Sequence, residues 1–247
     1  MTILLSIYLF CLGAVLGSFY NVVALRVPVG ESVVRPASRC GSCGRQLAAR
    51  DLVPIVSLAL SGGKCRHCGA KVSRLYSLGE AATGLLFVLM YLRFGLTLEA
   101  LTGALLASVC VIVAVSDLKY MLIPNKVLLS FSPLLVAAIL LAHSQPIWSH
   151  LLGAAVGGGG LLAVALLSRE GMGLGDVKLF ALLGWVVGLR YLLLAILVAS
   201  LVGLLVGAAR RGGRKQPIPF GPFLGLGALV AYGYGASIVD FYLSLFR

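Results

Sequence analysis

Long apolar runs recur along nearly the whole chain, near residues 3–25, 77–92, 98–116, 127–142, 149–167, 178–189, 191–208 and 220–246. A hydrocarbon core about 30 Å thick is crossed by about 20 residues of helix, and a backbone surrounded by lipid must hydrogen-bond to itself. Runs of this length and number predict an all-α, polytopic integral membrane bundle of eight transmembrane helices. The composition agrees, with 60% of the 247 residues hydrophobic and only 11% charged. Soluble domains average about 25% charged residues, so a water-soluble globule is excluded. The sixth run is short for an upright span, and only Gly188, Leu189 and Arg190 divide it from the seventh. If those two runs were one helix, the parity of the bundle would change.

The basic residues choose between these topologies. Twenty Lys and Arg stand against eight Asp and Glu, a formal net charge of +12. In a soluble protein that excess would suggest nucleic acid. In a membrane protein it reports topology, because cytoplasmic loops collect Lys and Arg, and no nucleic-acid partner is expected. The stretch Arg26 to Arg74 holds nine, segments 117–126 and 168–178 hold two each (Lys119, Lys126; Arg169, Lys178), and 209–219 holds four. With eight spans and the N-terminus outside, 17 of the 20 fall on the cytoplasmic side, leaving Arg93, Arg190 and Arg247. The first run has no cation before it, and its basic flank follows at Arg26. A cleaved secretory leader has the opposite order, so this run reads as a retained helix.

Residues 26–76 form the one extended hydrophilic segment. It carries Cys40-Gly-Ser-Cys43-Gly and, 21 residues further on, Cys65-Arg-His-Cys68-Gly. Two such knuckles turn four thiolates toward one point and predict a tetrahedral zinc site made by Cys40, Cys43, Cys65 and Cys68. Paired disulfides are the alternative, but the charge argument places this loop in a reducing compartment. His67 could substitute as a ligand and is read as exposed. Cys11 and Cys110 lie in apolar runs and are read as small hydrophobes. His143 and His150, on a short outer loop without cysteine or carboxylate neighbours, are not expected to bind metal. A loop this small and polar needs a metal to fold, so the zinc is expected to be structural.

With so few acids, their positions are informative. Asp117 ends the third apolar run and Asp176 opens the sixth, both on the cytoplasmic side of the eight-span topology. They share a local pattern, Asp117-Leu-Lys119 and Asp176-Val-Lys178, and Gly173 and Gly175 precede the second. An ionisable residue at the hydrocarbon boundary is costly and raises a functional hypothesis. The plainer alternative is an interfacial Asp at each site, with Asp176 capping its helix and the two lysines snorkelling. The glycines weaken a helix, but they let a substrate backbone approach closely. Two carboxylates held close share a proton; the charged one can then deprotonate water while the other donates to a scissile carbonyl. That is aspartic-protease chemistry.

These features together resemble the type IV prepilin peptidases, bacterial membrane aspartyl proteases with a Gly-x-Gly-Asp motif. The resemblance is carried by Gly17-Ser18-Phe19-Tyr20-Asn21-Val22, the four-cysteine loop, Glu80-Ala-Ala-Thr83-Gly84, Asp117 with Ile123-Pro124-Asn125 downstream, Gly173-Leu174-Gly175-Asp176-Val177-Lys178, and Pro219-Phe220-Gly221-Pro222-Phe223-Leu224. It implies that Asp117 and Asp176 are the catalytic pair. It also implies that prepilins or pseudopilins are the substrates, cut after a Gly of a short basic leader at the cytoplasmic face of the bacterial inner membrane. Many members then methylate the new N-terminus with S-adenosylmethionine; a peptidase alone, with a purely structural cysteine loop, is the alternative. The implied organisation is a first transmembrane helix at 1–25, a cytoplasmic zinc loop at 26–76 and a transmembrane peptidase core at 77–247. Lys119, Lys178, Gly173, Gly175 and Glu80 are the expected site-shaping residues, Glu80 with a pairing role at its helix start as the alternative. Presenilin-type proteases share Gly-x-Gly-Asp but are expected to have Tyr before the first Asp, where this chain has Ser116. A proton-coupled transporter is disfavoured because no acid continues a path across the other spans, and a zinc-ribbon scaffold would explain the loop alone. Gly157–Gly160 is read as close helix packing, and Arg210–Lys215 as a topology anchor that favours anionic lipid.

Overall fold

The computed structural model describes residues 1–142, 145–167, 173–209 and 218–245. His143, Arg169, the cluster Arg210–Lys215 and Arg247 lie outside the described residues. The elements are α1 (Thr2–Arg26), a short α2 (Val56–Leu60) within the loop, α3 (Arg74–Phe94), α4 (Leu98–Tyr120), α5 (Asn125–Ala142), α6 (Ile147–Leu167), α7 (Leu174–Ala209) and α8 (Gly221–Ser244). Among the described residues there is no strand, only the isolated bridges Arg39 with Gln46 and Lys64 with Lys71. Local signals set several of the helix starts. The Ser73 hydroxyl accepts the Leu75 N–H at 3.3 Å and the Thr97 hydroxyl accepts the Ala100 N–H at 3.3 Å, satisfying amides that a helix leaves open at its N-terminus.

Seven helices are long and apolar enough to cross a membrane, one fewer than the eight apolar runs. The difference lies in the 36-residue α7, which is interrupted at Gly188, where φ is 73° and ψ 166°. Only glycine adopts that conformation readily. The packing on either side shows that the chain turns back there. In the first limb, Phe180 lies beside Gly157 and Gly184 beside Gly153, so it runs antiparallel to α6. In the second limb, Tyr191 lies beside Gly235, Ala195 beside Gly227 and Gly203 beside Phe223, so it runs antiparallel to α8. Arg190 reaches Asp240 near the end of α8, at 3.5 Å, whereas Asp176 sits at the level of the start of α8. The continuous apolar stretch therefore makes two passes, and the parity of eight is kept. Gln145 braces the turn by donating to the Val187 carbonyl at 3.3 Å.

His150 corrects one expectation. It lies within α6 rather than on a loop, is 1% exposed, and its Nδ1 is 2.7 Å from the Trp185 carbonyl oxygen. It joins α6 to α7.

The centre of the bundle is α4, thirteen of whose 23 residues are buried. Leu106, Val113, Leu135, Leu183, Leu192 and Leu224 form the main core around it. Tyr20, Ala24, Ile112 and Val127 form a second cluster beneath α1. Helices approach most closely at glycines: a Cβ on Gly153 would run into the Gly184 carbonyl oxygen, and one on Gly13 would lie 2.8 Å from Gly84 Cα. In lipid, where apolar surfaces gain little by leaving the solvent, such close contact supplies the association energy.

Candidate active site

Asp117 lies in the last turn of α4, which continues four residues past the end of the apolar run, to Tyr120. The helix stops at Met121, which adopts a left-handed conformation (φ 55°) and donates its N–H to the Asp117 carbonyl at 2.9 Å. The carboxylate itself is 6% exposed. Its Oδ2 accepts the N–H of Gly221, the first residue of α8, at 2.9 Å. A carboxylate at a helix N-terminus meets unpaired amides and the positive end of the macrodipole, which anchors it. A Cβ on residue 221 would fall 2.9 Å from the same oxygen, so a larger residue there would displace the carboxylate.

Asp176 occupies the first turn of α7, half-buried, with its N–H donated to the Gly173 carbonyl at 3.0 Å. Its carboxylate lies close enough to that of Asp117 for the two to interact electrostatically. The two acids, 59 positions apart in the chain, thus come within electrostatic reach of each other at one end of the bundle. Of the motif's glycines, Gly175 makes the close approach and Gly173 leaves ordinary room beside the carboxylate. A Cβ on Gly175 would lie 3.0 Å from Ile123 Cβ in the α4–α5 turn, and one on Gly173 would lie 3.5 Å from Asp176 Oδ2. That turn is itself fixed on the α4 side, where the buried Ser116 hydroxyl donates to the Leu122 carbonyl at 2.6 Å.

The matching lysines do not pair with these acids. Lys178 is exposed and donates to Asn125 Oδ1 at 3.1 Å, bracing α7 against the start of α5. Lys119 is exposed on the last turn of α4. Glu80 is 8% exposed and its Oε2 accepts the Ile55 N–H at 2.8 Å, tying the cysteine loop to α3. Ile55 has φ 63°, strained for a β-branched residue, and this bond holds it there. Residue chemistry alone did not single out Gly221 and Asn21. Asn21, 1% exposed, donates to the Tyr76 carbonyl at 2.8 Å and locks α1 to α3. Both stand in motifs that could have flagged them, but as a backbone donor and a buried amide they carry no recognisable reactive signature.

The four cysteines converge as their spacing predicts. The sulfurs of Cys40, Cys43, Cys65 and Cys68 lie within 4.8 Å of one another, with Cys40 Sγ 3.8 Å from Cys68 Sγ. A tetrahedron with Zn–S bonds of about 2.3 Å has sulfurs about 3.8 Å apart, so the donor set fits zinc. The knuckles share one bonding pattern. Cys40 donates its N–H to Arg45 and receives the Gly44 N–H, each at 2.9 Å; Cys65 donates to Ala70 at 2.8 Å and receives the Gly69 N–H at 2.9 Å. All four cysteines are free of disulfides, and His67 is exposed outside the cluster. The amides of Cys43 and Ser42 hold the Cys40 thiol down, to about 6. At Cys68 the Ala70 amide works in the same direction, but burial and the surrounding thiols outweigh it and push the thiol up to about 11. A bound cation would remove that conflict by stabilising all four thiolates.

Residues 11–94 match the bacterial peptidase A24 N-terminal domain, and residues 104–208, which include both acids, match the type IV leader peptidase family. A prepilin leader peptidase/N-methyltransferase of Bacillus subtilis (strain 168) is 41% identical, over 96% of this chain and 97% of its own length. The protein of the same name from Myxococcus xanthus is 38% identical over 83% of this chain and 62% of its own length; that from Pseudomonas aeruginosa is 34% identical over 94% and 91%. No solved structure matches. With the paired acids, the cysteine cluster and near full-length similarity in agreement, the chain belongs to the type IV leader peptidase family.

Proposed function

We propose that this chain is an aspartyl endopeptidase of the bacterial inner membrane that removes the basic leader from prepilins or pseudopilins and then methylates the new N-terminus with S-adenosylmethionine. The observation that carries the peptidase reading is the meeting of Asp117 and Asp176 at one end of the bundle beside the Gly221 amide. In this reading the pair shares a proton. The ionised carboxylate takes a proton from water as the oxygen attacks the scissile carbonyl, and its protonated partner donates to the carbonyl oxygen. Collapse of the tetrahedral intermediate breaks the C–N bond, and a proton from the pair passes to the leaving amine. The Gly221 N–H orients Asp117 throughout. Gly173 and Gly175 keep side chains out of the approach to Asp176.

The N-terminus is assigned to the outer face and the pair to the cytoplasmic face. The Tyr120 hydroxyl donates to the Leu25 carbonyl at 3.1 Å, bringing the end of α1, where the basic loop begins, level with the acids. Cys40, Cys43, Cys65 and Cys68 would hold a structural Zn²⁺. S-adenosylmethionine supplies an electrophilic methyl group. An open pocket of about 500 Å³ between the loop and α3 is large enough for such a molecule, and Lys64, Lys71 and Arg74 on its walls offer partners for its carboxylate.

The test is cleavage of a prepilin by the full chain in proteoliposomes, with Asp117→Asn and Asp176→Asn assayed separately. Each is expected to lose activity, and near wild-type cleavage by either overturns the assignment. Mass measurement of the product with and without S-adenosylmethionine tests the second activity; a product that gains no methyl group removes it.

A further inference from the structure

A groove of about 470 Å³ opens on the lipid side of the bundle between α3 and α8, with α4 as its floor. Its walls are apolar: Leu85 and Leu89 from α3 face Leu226 and Val230 from α8. One end lies close to Asp117. Ala114 in the floor is one helical turn from Asp117, and Pro222 in the wall follows Gly221, whose N–H holds Asp117. At the other end Arg93 closes it, donating to the Gly233 carbonyl at 2.7 Å with its guanidinium 5.6 Å from the centre of the Tyr234 ring. Pro222 and Tyr234, twelve positions apart on α8, are separated by about 18 Å at 1.5 Å per residue. That is more than half of a hydrocarbon core of about 30 Å.

We propose that this groove receives the apolar segment that follows the scissile bond in the substrate, docked as a helix with its N-terminal end at Asp117 and Asp176. The proposal rests on the peptidase reading above and adds where the substrate lies. Three observations select this occupant. The groove begins one helical turn from Asp117 and beside Gly221, so a segment leaving the acids toward the bilayer interior lies next to its mouth. Its walls offer no polar partner between Pro222 and Arg93 for a bare backbone, and a segment at that depth must satisfy its own amides as a helix. Its length matches about twelve helical residues, and Ala82, Ala114 and Gly233 along it permit close approach. Binding energy gained along this remote face can be used to position the scissile bond.

The experiment uses the full chain in proteoliposomes with a prepilin carrying benzoylphenylalanine about six residues after the cleavage site. Irradiation is expected to cross-link α3 and α8, at peptides containing Leu85–Leu89 and Leu226–Val230. Cross-links confined to the outer faces of α5 or α6, or to lipid alone, overturn the groove assignment. Leu89→Trp and Leu226→Trp, which fill the groove, are expected to raise KM for prepilin about tenfold with a smaller change in kcat. Leu204→Trp, on a lipid-facing site of α7, serves as the control. An unchanged KM in both groove variants, or an equal rise in the control, points to a lipid-filled groove and refutes the proposal. Cleavage is read in the same samples: prepilin that is cut while cross-linking elsewhere removes the groove but keeps the peptidase, whereas uncut prepilin removes both.

Discussion

The helical bundle and the cysteine loop are built on different physical terms. In α4, most residues are buried, and neighbouring helices meet at glycines within van der Waals contact. Between residues 27 and 73, no residue is fully buried, and the loop is held by turns, by the Glu80–Ile55 bond and by four converging thiols. One region is specified by side-chain packing and the other by chemistry at a single point. The two acids belong to the first and the four-cysteine cluster to the second. The placement of the acids therefore depends on helix packing, while the loop can be disturbed separately.

The largest expected effect tests that separation. Asp117→Asn lowers cleavage by about 10³-fold, a magnitude typical of losing an acid–base group, while zinc content measured by atomic absorption stays at one per chain. Metal loss from this variant would show that the acids and the loop are coupled. Conversely, Cys40→Ser combined with Cys65→Ser abolishes metal binding and raises tryptic cutting within residues 27–73 at least about tenfold, because the loop has little packing to keep it closed. Circular dichroism of the helices stays near wild type.

In the bundle, Gly153→Ala forces a methyl group against the Gly184 carbonyl and lowers stability by about 1–3 kcal/mol, read as a fall in Tm in detergent. The smallest effect lies at the seam between the two regions. Glu80→Ala frees the Ile55 amide and costs about 1 kcal/mol, seen as faster hydrogen exchange around residues 52–58 with the metal still bound.

Much of this organisation was legible in the sequence. The apolar runs gave the helices to within a few residues, and the Cys-x-x-Cys-Gly repeats identified the four converging sulfurs, because a knuckle is a local structure whose spacing encodes its geometry. The short sixth run kept its separate pass because Gly188 supplies the one backbone conformation that lets two helices reverse without a loop. The identical Asp-x-Lys patterns were less reliable: they suggested matching roles for Lys119 and Lys178, yet Lys178 braces Asn125 and, among the described residues, neither lysine pairs with an acid.

The all-helical class, the separate apolar runs, the four converging cysteines and the two candidate acids are written in residue type and local spacing. It took the fold to bring Asp117 and Asp176 within electrostatic reach, to set the Gly221 amide on the first of them, to fasten the loop through Glu80, and to open an apolar groove between α3 and α8. These are contacts between segments far apart in the chain. They depend on which helix faces come together and how closely glycines let them approach, and no local spacing records that.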